Sequence, residues 1–416
     1  MKVFWITNIL LPEAAQLLLG NKASLGSGGW LASSAIGLVS SGKVSLSVIS
    51  VSPRVKDLTV LQGESIKYYI LPQCKNKEAY EPFMLQVKEM AKPDLVHIHG
   101  TEWPYGLAYI NACGSDNVVV SMQGLLGVIA HCYTDGLTRW EIIKNITARD
   151  LRLKTILGEK ADYEQRASLE REVLRKVKHV IGRTSFDHDF VMQMNPSLTY
   201  HFCNESLRAE FYGKSWAYEK CTPHTIFLSQ ANYPIKGLHQ MMKALPIIKE
   251  RVPDVKVRIA GSDITKHGSL SEIAKYSGYG KIIYSLIRKY NLQDVVSFTG
   301  LLNAEEMVGE LLQCNLYVCP SSCENSSNSI AEAQILGVPC LASKRGGNPD
   351  MIPEAEYGAL YDFDDINELA DMVVAMFETS KTFDNAAVRD FAAKRHDKET
   401  NLAATLKIYE EIIGKK

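Results

Sequence analysis

The sequence predicts an α/β protein made of two doubly wound, Rossmann-like domains, and three observations lead there. Its 416 residues exceed one ordinary core and suit two. Short β-rich runs alternate with segments of helical period along the chain, as βα units around parallel sheets do. The alternation also stops once and restarts. The interruption, 204–223 (NESLRAEFYGKSWAYEKCTP), is polar and aromatic and has no clear period.

In the first half the strands are expected at 2–7 (KVFWIT), 45–51, 94–99, 117–122, 179–183 and 199–203. In the second half they are expected at 225–230, 256–261, 295–300, 316–320, 338–343 and 358–362. Two sheets accommodate this number better than one. The expected boundaries are a first domain over 1–205, an ordered linker over 206–223, a second domain over 224–395 and a final helix over 396–416. Leu238, Met241, Met242, Leu245 and Ile248 share one helical face, with Pro246 inside that helix and Pro253 beyond its end. Leu402, Leu406, Tyr409 and Ile412 mark a similar stripe in the tail.

Composition excludes several function classes. Lys and Arg number 46 against 47 Asp and Glu, a net charge of −1, so no global field gathers nucleic acid or an anionic membrane. The opening Met1–Ile6 run is interrupted by Asn8, Pro12, Glu13 and Gln16 and reads as a buried strand rather than a signal peptide. No apolar stretch is long enough for a membrane span. Nine scattered cysteines, several inside apolar runs, suit a reducing cytoplasm. Cys319 and Cys323 lack a second pair at zinc spacing, and Asp187-His188-Asp189 sits where a helix start favours acids, so no metal is expected.

Segment 137–178 is helical in character, with eleven Lys/Arg against seven Asp/Glu. It reads as a solvated excursion from the first domain. The alternative is a peripheral contact with the inner face of the membrane or a lipid-linked acceptor, using Ile142, Ile143, Ile146 and Leu151 beside Arg139, Lys144 and Arg152.

The stretch 316–350, LYVCPSSCENSSNSIAEAQILGVPCLASKRGGNPD, carries the most chemistry. A strand ends at Pro320, and a helix runs from about Asn328 to Leu336 before Gly337 stops it. The free N–H groups of its first turn, with Ser327, Asn328 and Ser329, make a seat for phosphate. Glu324 lies in the loop before it and Glu332 inside the helix. A helix carboxylate can accept from ribose hydroxyls and a loop carboxylate can meet a sugar; the plainer reading is two ordinary charges, which the apolar neighbours of Glu332 disfavour.

This E-x7-E block, followed by A-x-x-x-G-V-P and G-G-x-P-D, resembles the donor-binding signature of the retaining GT-B glycosyltransferases of the family-four type, glycosyl transferases group 1. Lys236-Gly237 after a strand and Gly28-Gly29 near the N-terminus extend the resemblance over nearly the whole chain. It implies the GT-B fold, two Rossmann-like domains facing a cleft, with the final helix returning to the first domain. The implied reaction is transfer of a sugar from a nucleoside diphosphate sugar, a co-substrate rather than a cofactor, to a saccharide or lipid-linked saccharide hydroxyl with retention, in cell-surface polysaccharide or glycolipid assembly.

By the same resemblance Glu332 holds the ribose, Glu324 contacts the donor sugar, Lys236 neutralises the diphosphate, and Gly28 and Gly29 approach it from the first domain. In D-L-V-H-I-H-G, His97 and His99 share a strand face; His99 is the candidate for the site, and a structural histidine is the alternative. Two departures stand out. The family's next-strand histidine is replaced by Gln123, which can hydrogen-bond a sugar hydroxyl but cannot titrate, leaving His131 as a candidate imidazole; His99, Gln123 or His131 is the candidate near the acceptor. The family's arginine upstream of the lysine is replaced by Gln230-Ala231-Asn232. These departures keep two other readings open, a sugar-nucleotide epimerase or hydrolase and a non-catalytic sugar-nucleotide-binding partner.

Overall fold

The computed structural model describes residues 1–20 and 29–414. By its internal contacts the chain divides into two compact units. The first comprises Met1–Gly127, Gln165–Arg208 and the stretch from His396 on; the second comprises Val128–Glu164 and Ala209–Arg395.

The first unit is built on eight strands: β1 (Lys2–Thr7), β2 (Ser45–Ser52), β3 (Thr59–Gln62), β4 (Lys67–Pro72), β5 (Leu95–His99), β6 (Val118–Ser121), β7 (His179–Gly182) and β8 (Thr199–Phe202). Their order is β3-β4-β2-β1-β5-β6-β7-β8, parallel except for the antiparallel β3–β4 edge. The central strands are continuous apolar runs because helices cover both faces of such a sheet; β1 is buried from Val3 to Thr7. Strands β3 and β4 are additions to the expected set. β3 alternates half-buried and exposed residues, and its short polar pattern carries little signal.

The helix Lys398–Gly414 belongs to this unit's core, where Leu406, Ile408, Tyr409 and Ile412 are buried with Trp5, Val48 and Tyr68. Register places Trp5 beside His97 and His97 beside Val119. Tyr409 Oη accepts from Trp5 Nε1 at 3.1 Å and pairs with His97 Nδ1 at 2.6 Å, while His97 Nε2 meets Ser121 Oγ at 2.6 Å. Burial lowers the His97 pKa to about 3, so the ring is neutral and both nitrogens are used in tying the tail to the sheet.

The second unit has six parallel strands: β9 (Thr225–Leu228), β10 (Lys256–Ile259), β11 (Val296–Phe298), β12 (Leu316–Cys319), β13 (Cys340–Ser343) and β14 (Ala359–Tyr361). Their order is β11-β10-β9-β12-β13-β14. The chain leaves β9 and β12 toward opposite sides of the sheet. Between their carboxyl ends lies the crevice where doubly wound sheets bind ligands.

Two expected boundaries change. Val128–Glu164, expected as an excursion of the first domain, groups with the second unit. It is held there by polar contacts: Lys243 Nζ donates to Gly136 O at 2.6 Å, Ser322 Oγ to Cys132 O at 2.9 Å and Thr147 Oγ1 to Tyr276 O at 2.8 Å. The expected linker 206–223 is also largely part of the second unit. Phe211 and Trp216 are buried, and Trp216 donates through its backbone to Leu336 O at 2.7 Å and through Nε1 to Cys314 O at 2.8 Å.

Candidate functional site

At the carboxyl end of β9 the chain makes a tight turn, Pro234–Lys236, and enters the helix Leu238–Arg251, whose buried face includes Met241, Met242, Leu245 and Ile248. At the carboxyl end of β12 it enters the loop Pro320–Ser327. The two ends are locked together. Ser322 N donates to Ile235 O at 2.8 Å, and Gly237, at φ +70°, lies so close to Pro320 that a Cβ would stand 1.7 Å from the Pro320 carbonyl oxygen. Only glycine fits such a backbone-to-backbone approach.

This lock brings Lys236 Nζ to 2.6 Å from Glu324 Oε1, which also accepts from Ser321 Oγ at 2.7 Å. Burial works against the ammonium, but the Glu324 carboxylate and Tyr233 outweigh it and hold Lys236 above its ordinary pKa. The Glu324 backbone is braced from the other side. Gly347 N donates to Glu324 O at 2.8 Å, and Gly346, at φ +60°, leaves no room for a Cβ beside that oxygen. Asn348 Nδ2 donates to Ser343 O at 3.0 Å and Ser343 Oγ to Ser321 O at 2.5 Å, so the G-G-x-P-D segment positions the loop.

The helix expected after this loop spans Asn328–Leu336, capped by Ser327 Oγ accepting from Ile330 N at 3.4 Å and ended by Gly337 at φ +81°. Asn328 and Ser329 are half-buried in its first turn, where N–H groups lack intrahelical partners. Glu332 is buried one turn further on. Lys236, Glu324, Ser327, Asn328, Ser329 and Glu332 therefore all lie in the β9 and β12 exits and the helix that follows. Burial pushes the Cys319 thiol up to about 11, which makes it a packing group rather than a nucleophile.

The other candidates fall differently. Gly28 lies outside the described residues, and Gly29 opens the helix Gly29–Ser40. His131 is exposed in the last turn of the helix Leu126–Cys132 and groups with the second unit, whereas the strand it was expected to serve belongs to the first. Asp187 caps its helix on Thr184 and accepts from Arg183 N at 2.9 Å, the structural role expected of it. Among the described residues no group of three or more His, Cys, Asp or Glu is placed to hold a metal ion.

In the first unit the corresponding switch point lies between β1 and β5. A small crevice there is lined by Thr7, Asn8, His99, Gly100 and Trp103. The His99 ring stacks on His97 at 3.9 Å and meets Trp5 at 4.3 Å. Burial, with His97 and Arg183 nearby, holds its pKa well below the ordinary value. Gln123 Nε2 donates to Glu205 Oε1 at 3.1 Å, and Glu205 also pairs with Arg183. Sequence reasoning missed Glu102 and Trp103. The signal was T-E-W directly after the His-Gly strand end, and Trp103 there lies under the Arg166 guanidinium, 5.5 Å from the ring centroid.

Behind this crevice Glu170 is fully buried and accepts from Thr101 Oγ1 at 3.0 Å, Leu126 N at 3.1 Å and Gly127 N at 3.2 Å. Burial dominates and raises its pKa to about 7. A raised carboxyl pKa stabilises the fold fully below the unfolded value near 4.5, and this contribution is lost as pH rises through about 7. Relative to Glu170→Gln, the parent is expected to lose stability between about pH 4.5 and pH 7, on the order of 3 kcal/mol in all. Urea unfolding of both proteins at several pH values measures it; a constant difference contradicts it.

Residues 215–388 match the sequence profile of the family described as glycosyl transferases group 1. This part of the chain, less than half of it, is similar to a glycosyl transferases group 1 domain. It contains Lys236, Glu324, Glu332 and the bracing Gly346. YqgM of Bacillus subtilis (strain 168), described as an uncharacterized glycosyltransferase, is 30% identical over 184 residues, 44% of this chain and 47% of that protein. A D-inositol 3-phosphate glycosyltransferase of Arthrobacter sp. (strain FB24) is 28% identical over 148 residues, 36% of this chain and 33% of that protein. The chain thus spans less than half the length of these two relatives.

Around the group 1 domain the likeness is one of fold. Sucrose-phosphate synthase from Thermosynechococcus elongatus superposes with a TM-score of 0.69 at 15% identity, covering 100% of both chains. HepE of Anabaena, solved in complex with UDP and glucose, gives a TM-score of 0.66 at 15% identity over 99% of this chain and 100% of that one. The two parallel-sheet units have the GT-B architecture expected from the sequence.

Proposed function

We propose that the protein is a retaining glycosyltransferase that moves a sugar from a nucleoside diphosphate sugar to a hydroxyl of a saccharide or lipid-linked saccharide, in cell-surface polysaccharide or glycolipid assembly. The observation that carries this reading is the Lys236–Glu324 pair at 2.6 Å, beside a capped helix start at the switch point of the second sheet. In the reaction the bond from the anomeric carbon to the diphosphate breaks and one from the acceptor oxygen forms, while the acceptor's proton leaves with the diphosphate. Negative charge grows on the leaving group as this happens. Lys236 and the first-turn N–H groups of Asn328 and Ser329 stabilise it with charge and dipoles already in place. Glu324 orients the donor sugar and Glu332 accepts from the ribose hydroxyls. His99 and Trp103 line the acceptor side, where an aromatic face suits a sugar ring.

HepE was solved with UDP, so uridine diphosphate sugars lead the test. The experiment is thermal denaturation with UDP-, GDP- and ADP-sugars, with Glu332→Ala alongside and product analysis with and without added saccharide. One nucleotide class is expected to raise the Tm of the parent, and the variant is expected to lose that rise. Absence of a shift with every class contradicts the donor site, and turnover without any acceptor points to a hydrolase or epimerase instead.

A further inference from the structure

We infer that the second unit carries a face that binds anionic lipid bilayers from one side, formed by residues 139–154 and 266–281. Of the fifteen exposed large apolar residues among those described, six belong to these two segments. Trp140 is 70% exposed, Leu151 78% and Leu270 88%, accompanied by Ile143, Leu153 and Ile273. A soluble surface rarely gathers so many in two short segments.

The two segments are fastened to each other. Thr147 Oγ1 donates to Tyr276 O at 2.8 Å and Lys281 Nζ to Lys144 O at 3.4 Å. Gly278 packs so close that a Cβ would stand 3.1 Å from Asn145 O. The exposed side chains therefore share one supported region.

Its charge is one-sided, in a chain whose net charge is −1. The two segments hold eight Lys and Arg against three acids. All three acids are turned to their own helix starts. Glu141, Asp150 and Glu272 each complete a capping box, with Thr138, Thr147 and Ser269. Asp150 is buried and also pairs with Arg149 at 3.3 Å. Arg139, Lys144, Arg152 and Lys275 make no salt bridge among the described residues, whereas Lys154 pairs with Asp162. What faces outward is thus tryptophan, leucine and isoleucine interleaved with unpaired cations. That chemistry suits the headgroup layer of an anionic bilayer, where apolar side chains enter the acyl boundary and Lys and Arg meet the phosphates. No helix among the described residues is long and apolar enough to cross a membrane, so the contact is interfacial.

The test is flotation of the full chain with phosphatidylglycerol/phosphatidylcholine vesicles and with phosphatidylcholine vesicles alone, at about 0.1 M and about 1 M salt. Two variants of exposed residues accompany the parent: Lys144→Glu with Arg152→Glu, and Trp140→Ala with Leu151→Ala. Parent protein is expected on the anionic vesicles, less at high salt. The charge variant is expected to partition at least about tenfold more weakly and the apolar variant several-fold more weakly. Melting curves of both variants, which alter only surface side chains, check that they remain folded. Failure of the parent to float with anionic vesicles, or flotation of both variants like the parent, overturns the inference. So does a parent that stays off vesicles but sediments as a dimer that the variants dissolve, which assigns the face to a second copy of the chain. None of these readouts uses nucleotide, so they stand apart from the donor-site experiment.

Discussion

Replacing Lys236 with alanine is expected to lower kcat/KM for glycosyl transfer by about a thousandfold, the size of effect seen when a preorganised group facing developing charge is removed. The same change leaves Glu324 with the Ser321 hydroxyl alone of its two partners, which costs on the order of 1–3 kcal/mol of stability. The activity loss therefore exceeds what partial unfolding explains, and circular dichroism at the assay temperature separates the two. The pairing also gives a sharper sign. Without ligand the Lys236 ammonium is held by Glu324 at 2.6 Å, so a diphosphate has to compete with a carboxylate for it. Glu324→Gln is accordingly expected to bind the free nucleoside diphosphate about fivefold more tightly while transferring sugar far more slowly. Isothermal titration of parent and variant measures the first and product formation the second. A variant that binds the diphosphate more weakly shows that Glu324 supports, rather than restrains, the lysine.

The largest expected stability effect is at Gly237. An alanine there must adopt φ +70° and place its Cβ where the Pro320 carbonyl oxygen now stands, 1.7 Å away. The backbone conformation alone costs about 1–2 kcal/mol. The clash cannot be relieved by rotating a side chain, because both partners are backbone. Either the turn or the exit of β12 has to move, and both carry site residues. Gly237→Ala is expected to destabilise the second unit by about 3 kcal/mol or more and to reduce activity through displacement of Lys236. Gly213 supplies the control, since it has φ +78° and open space for 4 Å around the place a Cβ would take. Gly213→Ala is expected to cost only the conformational part. Equal denaturation midpoints for the two alanine variants would show that the close approach to Pro320 is of no consequence.

The parts of this protein that were legible in the sequence share a property: their signals are local. The central strands are runs of apolar residues because both faces of a parallel sheet are buried, and β1, β5, β9 and β12 lie where such runs occur. The helix Asn328–Leu336 announced itself through the strand end at Pro320 before it and the glycine, Gly337, that stops it. Glu324 and Glu332 stand out in the sequence because that helix start is combined with carboxylates at a fixed spacing, and Lys236 because Lys236-Gly237 follows a strand. β3 was not, since a short half-exposed edge strand has neither a run nor a strong alternation.

By itself, then, the sequence determined the two doubly wound sheets, the restart between them and the residue types at the β9 and β12 exits, since each follows from periodicity or helix-end chemistry within a few residues. Only the tertiary structure decided which unit holds Val128–Glu164, because that attachment rests on single hydrogen bonds such as Lys243 to Gly136 O that leave no period in the chain. It alone decided that His97 is a neutral clasp for Tyr409 and that the His99 pKa lies well below its ordinary value, because burial by distant strands sets those pKa values. It alone also decided that Lys236 rests on Glu324, because an ion pair across 88 positions requires two strand exits to be locked by a glycine whose missing side chain no local pattern explains.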